Sequence, residues 1–136
     1  MSDPQKMAEA VQAYFDCFNA QDADGIVSLF ADDATVTDPV GTETKKGIDD
    51  IRAFYTLALK NGAKIIPNGP TRIASNMAAF AFTVSVGAMT SVDKAVDVEL
   101  PSGSMTIDVI DTFAFNDDNQ VIEMRAYWGP SNITQV

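Results

Sequence analysis

Three side chains in this sequence combine a reactive type with an inward position: Asp111, Asp38 and Tyr14. Asp111 lies in the segment Ile107-Asp108-Val109-Ile110-Asp111-Thr112-Phe113-Ala114-Phe115. Alternation along a strand places Ile107, Val109, Asp111, Phe113 and Phe115 on one face. A charged carboxylate on that face is costly unless paired, so a neutral acid with a raised pKa is the cheaper state. A neutral carboxyl donates a hydrogen bond, and acids seldom sit mid-strand on an apolar face. Asp38 closes a second row, Ala34, Val36, Asp38 and Val40. Pro39 biases Asp38 towards an extended backbone and ends the strand. An acid at the lip of a cavity can serve as a base, although an Asp-Pro turn accounts for it equally. Tyr14 shares a helical stripe with Met7, Val11 and Phe18, so its hydroxyl points inward and needs a partner. Tyr55, on the inner stripe of a later helix, can supply one. Alone, Tyr14 is most simply a core residue. A tyrosine and two aspartates facing one apolar cavity match a site in which two carboxyls are tuned to opposite roles.

The elements that must position these groups follow from periodicity and turn chemistry. Asp3 caps a first helix with Pro4 at its first position, and Met7, Val11, Tyr14, Phe15 and Phe18 recur at helical spacing. A shorter helix is expected from Asp22 or Ala23 to Phe30, then a strand Ala34–Asp38 and a polar loop Thr42–Lys46. A third helix fits Gly47 to Lys60, with Ile48, Ile51, Tyr55 and Leu59 in one stripe and Asn61-Gly62 as its stop. The period then changes from 3.6 to 2. Strands are expected at Lys64–Pro67, Arg72–Ser75, Ala78–Ala88, Val92–Val98, Met105–Asn116 and Gln120–Trp128, separated by turn residues. Trp128 shares parity with Ile122, Met124 and Ala126. Helices first and strands after argue for one α+β domain, residues 1–136, with helices on one face of an antiparallel sheet.

Composition removes whole classes of chemistry. The 136 residues include no histidine, which excludes Ser-His-Asp, Cys-His and HExxH catalysis. The one cysteine, Cys17, forms neither an internal disulfide nor a thiolate metal cluster, and fits a reducing, cytoplasmic setting. It reads as core filler, because nothing basic is placed to activate it. With 9 Lys and Arg against 19 Asp and Glu, the formal net charge of −10 opposes binding to nucleic acid or anionic membranes. No apolar run approaches the ~20 residues that span a bilayer, and the first residues lack a signal-peptide pattern. The expected partners are neutral apolar small molecules or another protein. Asp22-Ala23-Asp24-Gly25 is a poor calcium loop, with glycine misplaced and no closing glutamate. The doublets Asp32-Asp33, Asp49-Asp50 and Asp117-Asp118 read as turns and solvated helix starts.

These residues match a family pattern. The chain resembles the bacterial Δ5-3-ketosteroid isomerases, within the NTF2-like, SnoaL-like group. The likeness is carried by Asp24 to Gly41, Ile51-Arg52-Ala53-Phe54-Tyr55, Ala78 to Val84, Val109-Ile110-Asp111-Thr112-Phe113 and Met124-Arg125-Ala126-Tyr127-Trp128. The resemblance implies a cone: about three N-terminal helices on a strongly curved, mainly antiparallel sheet enclosing an apolar pocket. It implies that Asp38 is the general base, that Tyr14 and Asp111 are oxyanion-hole donors, and that Tyr55 hydrogen-bonds Tyr14. Phe82, Phe113, Trp128 and Val40 fall at substrate-binding positions. The implied reaction uses neither cofactor nor metal: one carboxylate carries a proton from C4 to C6 of a steroid. A homodimer is implied as well. Two departures stand out: Phe30 where some members carry tyrosine, and a longer stretch over residues 87–104. The competing readings are another NTF2-like enzyme, such as a polyketide cyclase or an epoxide hydrolase, and a non-catalytic ligand-binding domain. An epoxide hydrolase would want an arginine bridging two aspartates. A pure binder has no use for Asp38 and Asp111 in one pocket.

Overall fold

The computed structural model describes residues 2–87 and 95–136 of the chain. Helix α1 spans Pro4–Asn19, capped by Asp3, whose carboxylate accepts from the Gln5 amide. Its buried face is Met7, Val11, Tyr14, Phe15 and Phe18, the expected stripe. Helix α2, Ala23–Val27, is shorter than expected. Its cap Asp22 accepts from the Gly25 amide, so the Asp-rich segment is a helix start. Ser28 caps the other end, and Phe30 already belongs to a strand. Gly25 makes the α1–α2 approach possible: a Cβ there would lie 2.7 Å from the Cys17 sulfur.

Strand β1, Phe30–Thr37, starts four residues earlier than the alternation indicated. Its pairing is irregular between Phe30 and Thr35, so exposed Asp32 and Asp33 interrupt the pattern. Lys45–Lys46, expected as loop, forms a short strand β2 that pairs antiparallel with β1, Thr35 opposite Lys46 and Val36 opposite Lys45. Two lysines carry no apolar alternation, so only the neighbouring strand specifies this element. Helix α3, Ile48–Ala58, follows from Gly47, whose φ of 83° lies in the region that glycine tolerates. It buries Ile51, Phe54 and Tyr55, and Leu59 caps its C-terminal end.

The remaining strands are β3 Lys64–Pro67, β4 Arg72–Ala74, β5 Met77–Val86, β6 Met105–Phe115, β7 Val121–Tyr127 and β8 Ile133–Gln135, with a short 3-10 turn at Pro130–Asn132. They form one curved, open sheet in the order β2-β1-β7-β6-β5-β3, with β4 on β5 and β8 on β6. Pairing is antiparallel except between β1 and β7, so the sheet is mixed. β8, absent from the sequence reading, pairs Ile133 with Ile107 at the end of β6. Of the strand expected at Val92–Val98, residues 92–94 lie outside the described residues, and so does Ala88 at the end of the β5 expectation. Residues 96–98 form a bend, and Ala95 is irregular, so no strand is present there. Ile122 is also displaced from its expected row: a register shift beside Phe115 puts Val121 inside instead.

The helices cover the concave face. Met105, Ile107, Val109, Asp111, Phe113 and Phe115 are all buried there, alternating with outward residues. Phe113, fully buried, packs edge-on against Tyr14 at 5.2 Å and against Phe80 at 4.9 Å. Truncating such a ring to alanine costs about 3–5 kcal/mol, so this cluster is the mechanical base on which Tyr14 rests.

Candidate active site

Strand register brings the two inward aspartates together. Asp111 on β6 stands opposite Ala126 on β7. Thr37 on β1 stands opposite Arg125 on β7, so Asp38 comes level with Ala126. Asp38, Ala126 and Asp111 therefore form a row across three strands, and two strand spacings separate the carboxyl-bearing residues by about 10 Å. Ala126, buried and small, leaves space between them. Chain folding does what spacing in sequence could not: Asp38 and Asp111 share one apolar chamber.

That chamber encloses about 100 Å³ and opens to solvent. Tyr14, Asp38, Tyr55, Asp111, Phe82 and Trp128 all line it, as expected. Phe18, Phe54, Ile107 and Val109 add apolar walls, and Ala95, Val96 and Leu100 contribute from the long 87–104 stretch. Two expected members stand elsewhere. Val40 is 38% exposed and lies outside the lining, because β1 ends at Thr37 and the inward row stops with it. Phe113 sits behind Tyr14, supporting the wall instead of forming it.

The hydroxyls of Tyr14 and Tyr55 are hydrogen-bonded at 3.0 Å, joining α1 to α3 inside the core. When Tyr55 donates, the Tyr14 proton is free for a ligand. Burial, then the neighbouring hydroxyl and Asp111, hold the Tyr14 phenol well above its ordinary pKa. Phe30 packs its ring 6.0 Å from Tyr55, so the hydroxyl chain ends there.

The two acids differ in their surroundings. Asp38 is raised to about 6, chiefly by burial; the Trp128 hydrogen bond and the charge of Lys45 oppose the rise. Trp128 Nε1–H donates to Asp38 Oδ1 at 2.7 Å, and both residues line the chamber. This bond escaped the sequence reading, which gave Trp128 only an apolar role. The signal was the last position of an inward row, where an indole N–H needs an acceptor. Asp111 is only 1% exposed. Burial, and then the charge of Asp38, raise its pKa well above the usual carboxylate value. Its Oδ1 has no hydrogen-bond partner among the described residues. Burial and the Asp38 charge thus favour the neutral, hydrogen-bond-donating form of Asp111, whereas the Trp128 bond and Lys45 favour the charged form of Asp38. No arginine is among the described residues that line the chamber.

A profile of the SnoaL-like domain matches residues 11–124. The chain is 30% identical over 125 residues to a steroid Δ-isomerase of Nocardioides simplex, spanning 91% of this chain and 90% of that protein. It is 24% identical over 143 residues to the epoxide hydrolase LasB of Streptomyces lasalocidi, spanning 97% of this chain but 50% of LasB. Among solved structures, the epoxide hydrolase/cyclase-like enzyme SalBIII, described for pyran ring formation in the polyether salinomycin, matches 100% of both chains with a TM-score of 0.84 and 25% identity. These relatives are all enzymes, and the likeness to steroid isomerases extends over nearly the whole chain.

Proposed function

The chain belongs to the SnoaL-like family of the NTF2-like superfamily, and from that premise we propose that it is a steroid Δ-isomerase, moving the double bond of 3-oxo-Δ5-steroids into the Δ4 position without a cofactor. The observation that carries this reading is that Asp38, Asp111, Tyr14 and Tyr55 line one apolar chamber, with the two acids in different surroundings. The Asp38 carboxylate removes the proton at C4, and the C4–H electron pair moves to give a dienolate. Negative charge builds on the C3 oxygen, which accepts hydrogen bonds from the Tyr14 hydroxyl and the neutral Asp111 carboxyl. Asp38 then returns the proton to C6, and the enone forms with no net change in atoms. A neutral carboxyl in a donor role is known ketosteroid isomerase chemistry; the surroundings of Asp111 agree with it. Each donor aimed at developing charge in a dry site contributes about 3–4 kcal/mol to the rate. Trp128 holds one Asp38 oxygen while the other moves the proton. The enclosed space is below the roughly 300 Å³ of small ligand pockets, so a steroid fills the open mouth as well.

The assay is the appearance of conjugated-enone absorbance from 5-androstene-3,17-dione. Folded protein that gives no conversion overturns the reading. A second reading is favoured by the match to SalBIII over the full chain. The same pair can open an epoxide, with Asp111 protonating the oxygen and Asp38 deprotonating an attacking hydroxyl. The missing bridging arginine speaks against it, and ring opening of a hydroxy-epoxide without steroid isomerisation would establish it. Among the described residues no helix is long and apolar enough to cross a membrane. We place the enzyme in the cytoplasm as a homodimer, tested by cell fractionation and by a light-scattering mass twice 14.6 kDa.

A further inference from the structure

Helix α3 ends at Ala58, and the chain passes through the Leu59 cap to Asn61. Asn61 lines the chamber beside Ala58 and Ala63. Its Nδ2 is buried and has no hydrogen-bond partner among the described residues. A primary amide carries two N–H donors and one acceptor, and an unpaired buried donor is disfavoured unless a ligand completes it. Among the described residues, the other unpaired buried atom of the chamber belongs to Asp111, at the reacting end. Asn61 sits away from that end. Phe80 stands opposite Asp111, whereas the Asn61 carbonyl lies against Gly87, where an added Cβ would come within 3.3 Å. Gly87 is seven positions along the chain from Phe80, just past the end of β5, about 20 Å along an extended strand and less across the curved sheet. Between them run the apolar side chains of Phe82, Val84 and Val86.

The chamber thus has donors at both ends of an apolar track. We propose that Asn61 is a specificity residue: its amide donates a hydrogen bond to a ketone or hydroxyl oxygen carried by the substrate at the end remote from the reacting carbonyl. The ligand class is then an elongated, apolar, doubly oxygenated molecule. The orientation rests on the isomerase reading, with the reacting carbonyl at Tyr14 and Asp111, but the test need not use turnover.

Trp128 is the chain's one tryptophan and lines the chamber, so its fluorescence reports binding. The probes are androst-4-ene-3,17-dione and androst-4-en-3-one, which differ only in the distal oxygen. Wild-type protein should bind the dione about 5- to 10-fold more tightly, the scale of one neutral hydrogen bond. In Asn61→Leu the ratio of the two affinities should fall to about one. Asn61→Ser keeps a hydroxyl donor and should retain part of the preference. Circular dichroism confirms that each variant is folded. Equal affinities in wild-type protein, or a preference that survives in Asn61→Leu, would overturn the proposal. Preference without isomerisation in the enone assay rejects the reaction and keeps the anchor. Isomerisation without preference rejects the anchor alone. Absence of binding by both ketones rejects the two together.

Discussion

Asp38 and Asp111 begin as the same side chain and are driven apart by their neighbours. Both are desolvated, but the Trp128 N–H and the Lys45 charge offset part of the cost at Asp38. At Asp111 the second influence is the Asp38 carboxylate itself, which pushes in the same direction as burial. In the proposed mechanism Asp38 must be ionised to act as the base, so kcat/KM should rise with pH through about 6 and then level off. Trp128→Phe removes a hydrogen bond that lowers the Asp38 pKa, so the acidic limb should move above 6, read from the pH–rate profile. A limb that stays in place would make the indole an apolar wall and nothing more. Asp38→Asn should reduce turnover by ~100-fold or more, the scale of a lost general base, while ligand affinity measured by Trp128 fluorescence changes little. Retention of a tenth of wild-type turnover would remove Asp38 from the mechanism.

At the scale of elements, the site is a junction of α1, α3 and three strands. Tyr14 comes from α1 and Tyr55 from α3, and their 3.0 Å hydrogen bond exists only because both helices pack on the same concave face. Tyr14→Phe deletes a donor whose bond strengthens as charge builds on the ligand oxygen. Turnover should therefore fall by ~100-fold with a much smaller loss of affinity; equal losses would mark Tyr14 as a uniform-binding or packing residue. β2 has a comparable influence from the other side. It places Lys45 opposite Val36, two residues before Asp38, and Lys45 also lies 3.8 Å from Asp97. Lys45→Met removes a positive charge that favours ionised Asp38, so the acidic limb should again move upward. High salt should weaken the effect in wild-type protein, because Lys45 is partly exposed.

For the whole molecule, burying Asp111 has a cost that depends on pH. A carboxyl with a raised folded-state pKa binds a proton in the native state that the unfolded chain releases. Its contribution to stability therefore falls as pH rises from the unfolded value, about 3.9, towards the higher folded value. Asp111→Asn removes that titration. The stability of this variant relative to wild type should increase from pH 4 to pH 8 in urea unfolding, and Asp111→Leu should be at least as stable as wild type at neutral pH. Parallel stability curves would mean that Asp111 is ionised in the free protein. Kinetics on the same variants complete the test: Asp111→Leu should lose ~100-fold or more in turnover, and Asp111→Asn, which keeps a donor, should lose less.

Local rules settle much of this protein. The Asp3-Pro4 start, the α1 stripe and the alternation along β6 are short-range patterns, and each element formed where its pattern lies. Parity alone assigned Asp111 to the buried face, because side chains on a strand alternate whatever the strand pairs with. Helical spacing likewise turned Tyr14 and Tyr55 inward. Several other features needed the folded chain. β2 and β8 are too short to show a period, and their backbone groups find partners only on β1 and β6. The register shift that puts Val121 inside and Ile122 off the row depends on the neighbouring strand. Val40 and Phe113 were read as ligand contacts, but where a row ends and what stands in front of a ring are questions of depth, which periodicity does not carry. The bond from Trp128 to Asp38 joins residues 90 positions apart, and Asn61 looked like a helix stop until the chamber closed around it. Sequence determines which face a residue occupies, because that is a property of one element. Tertiary structure decides what shares the cavity with it, because burial, charge and hydrogen bonding there are set by elements far apart in the chain.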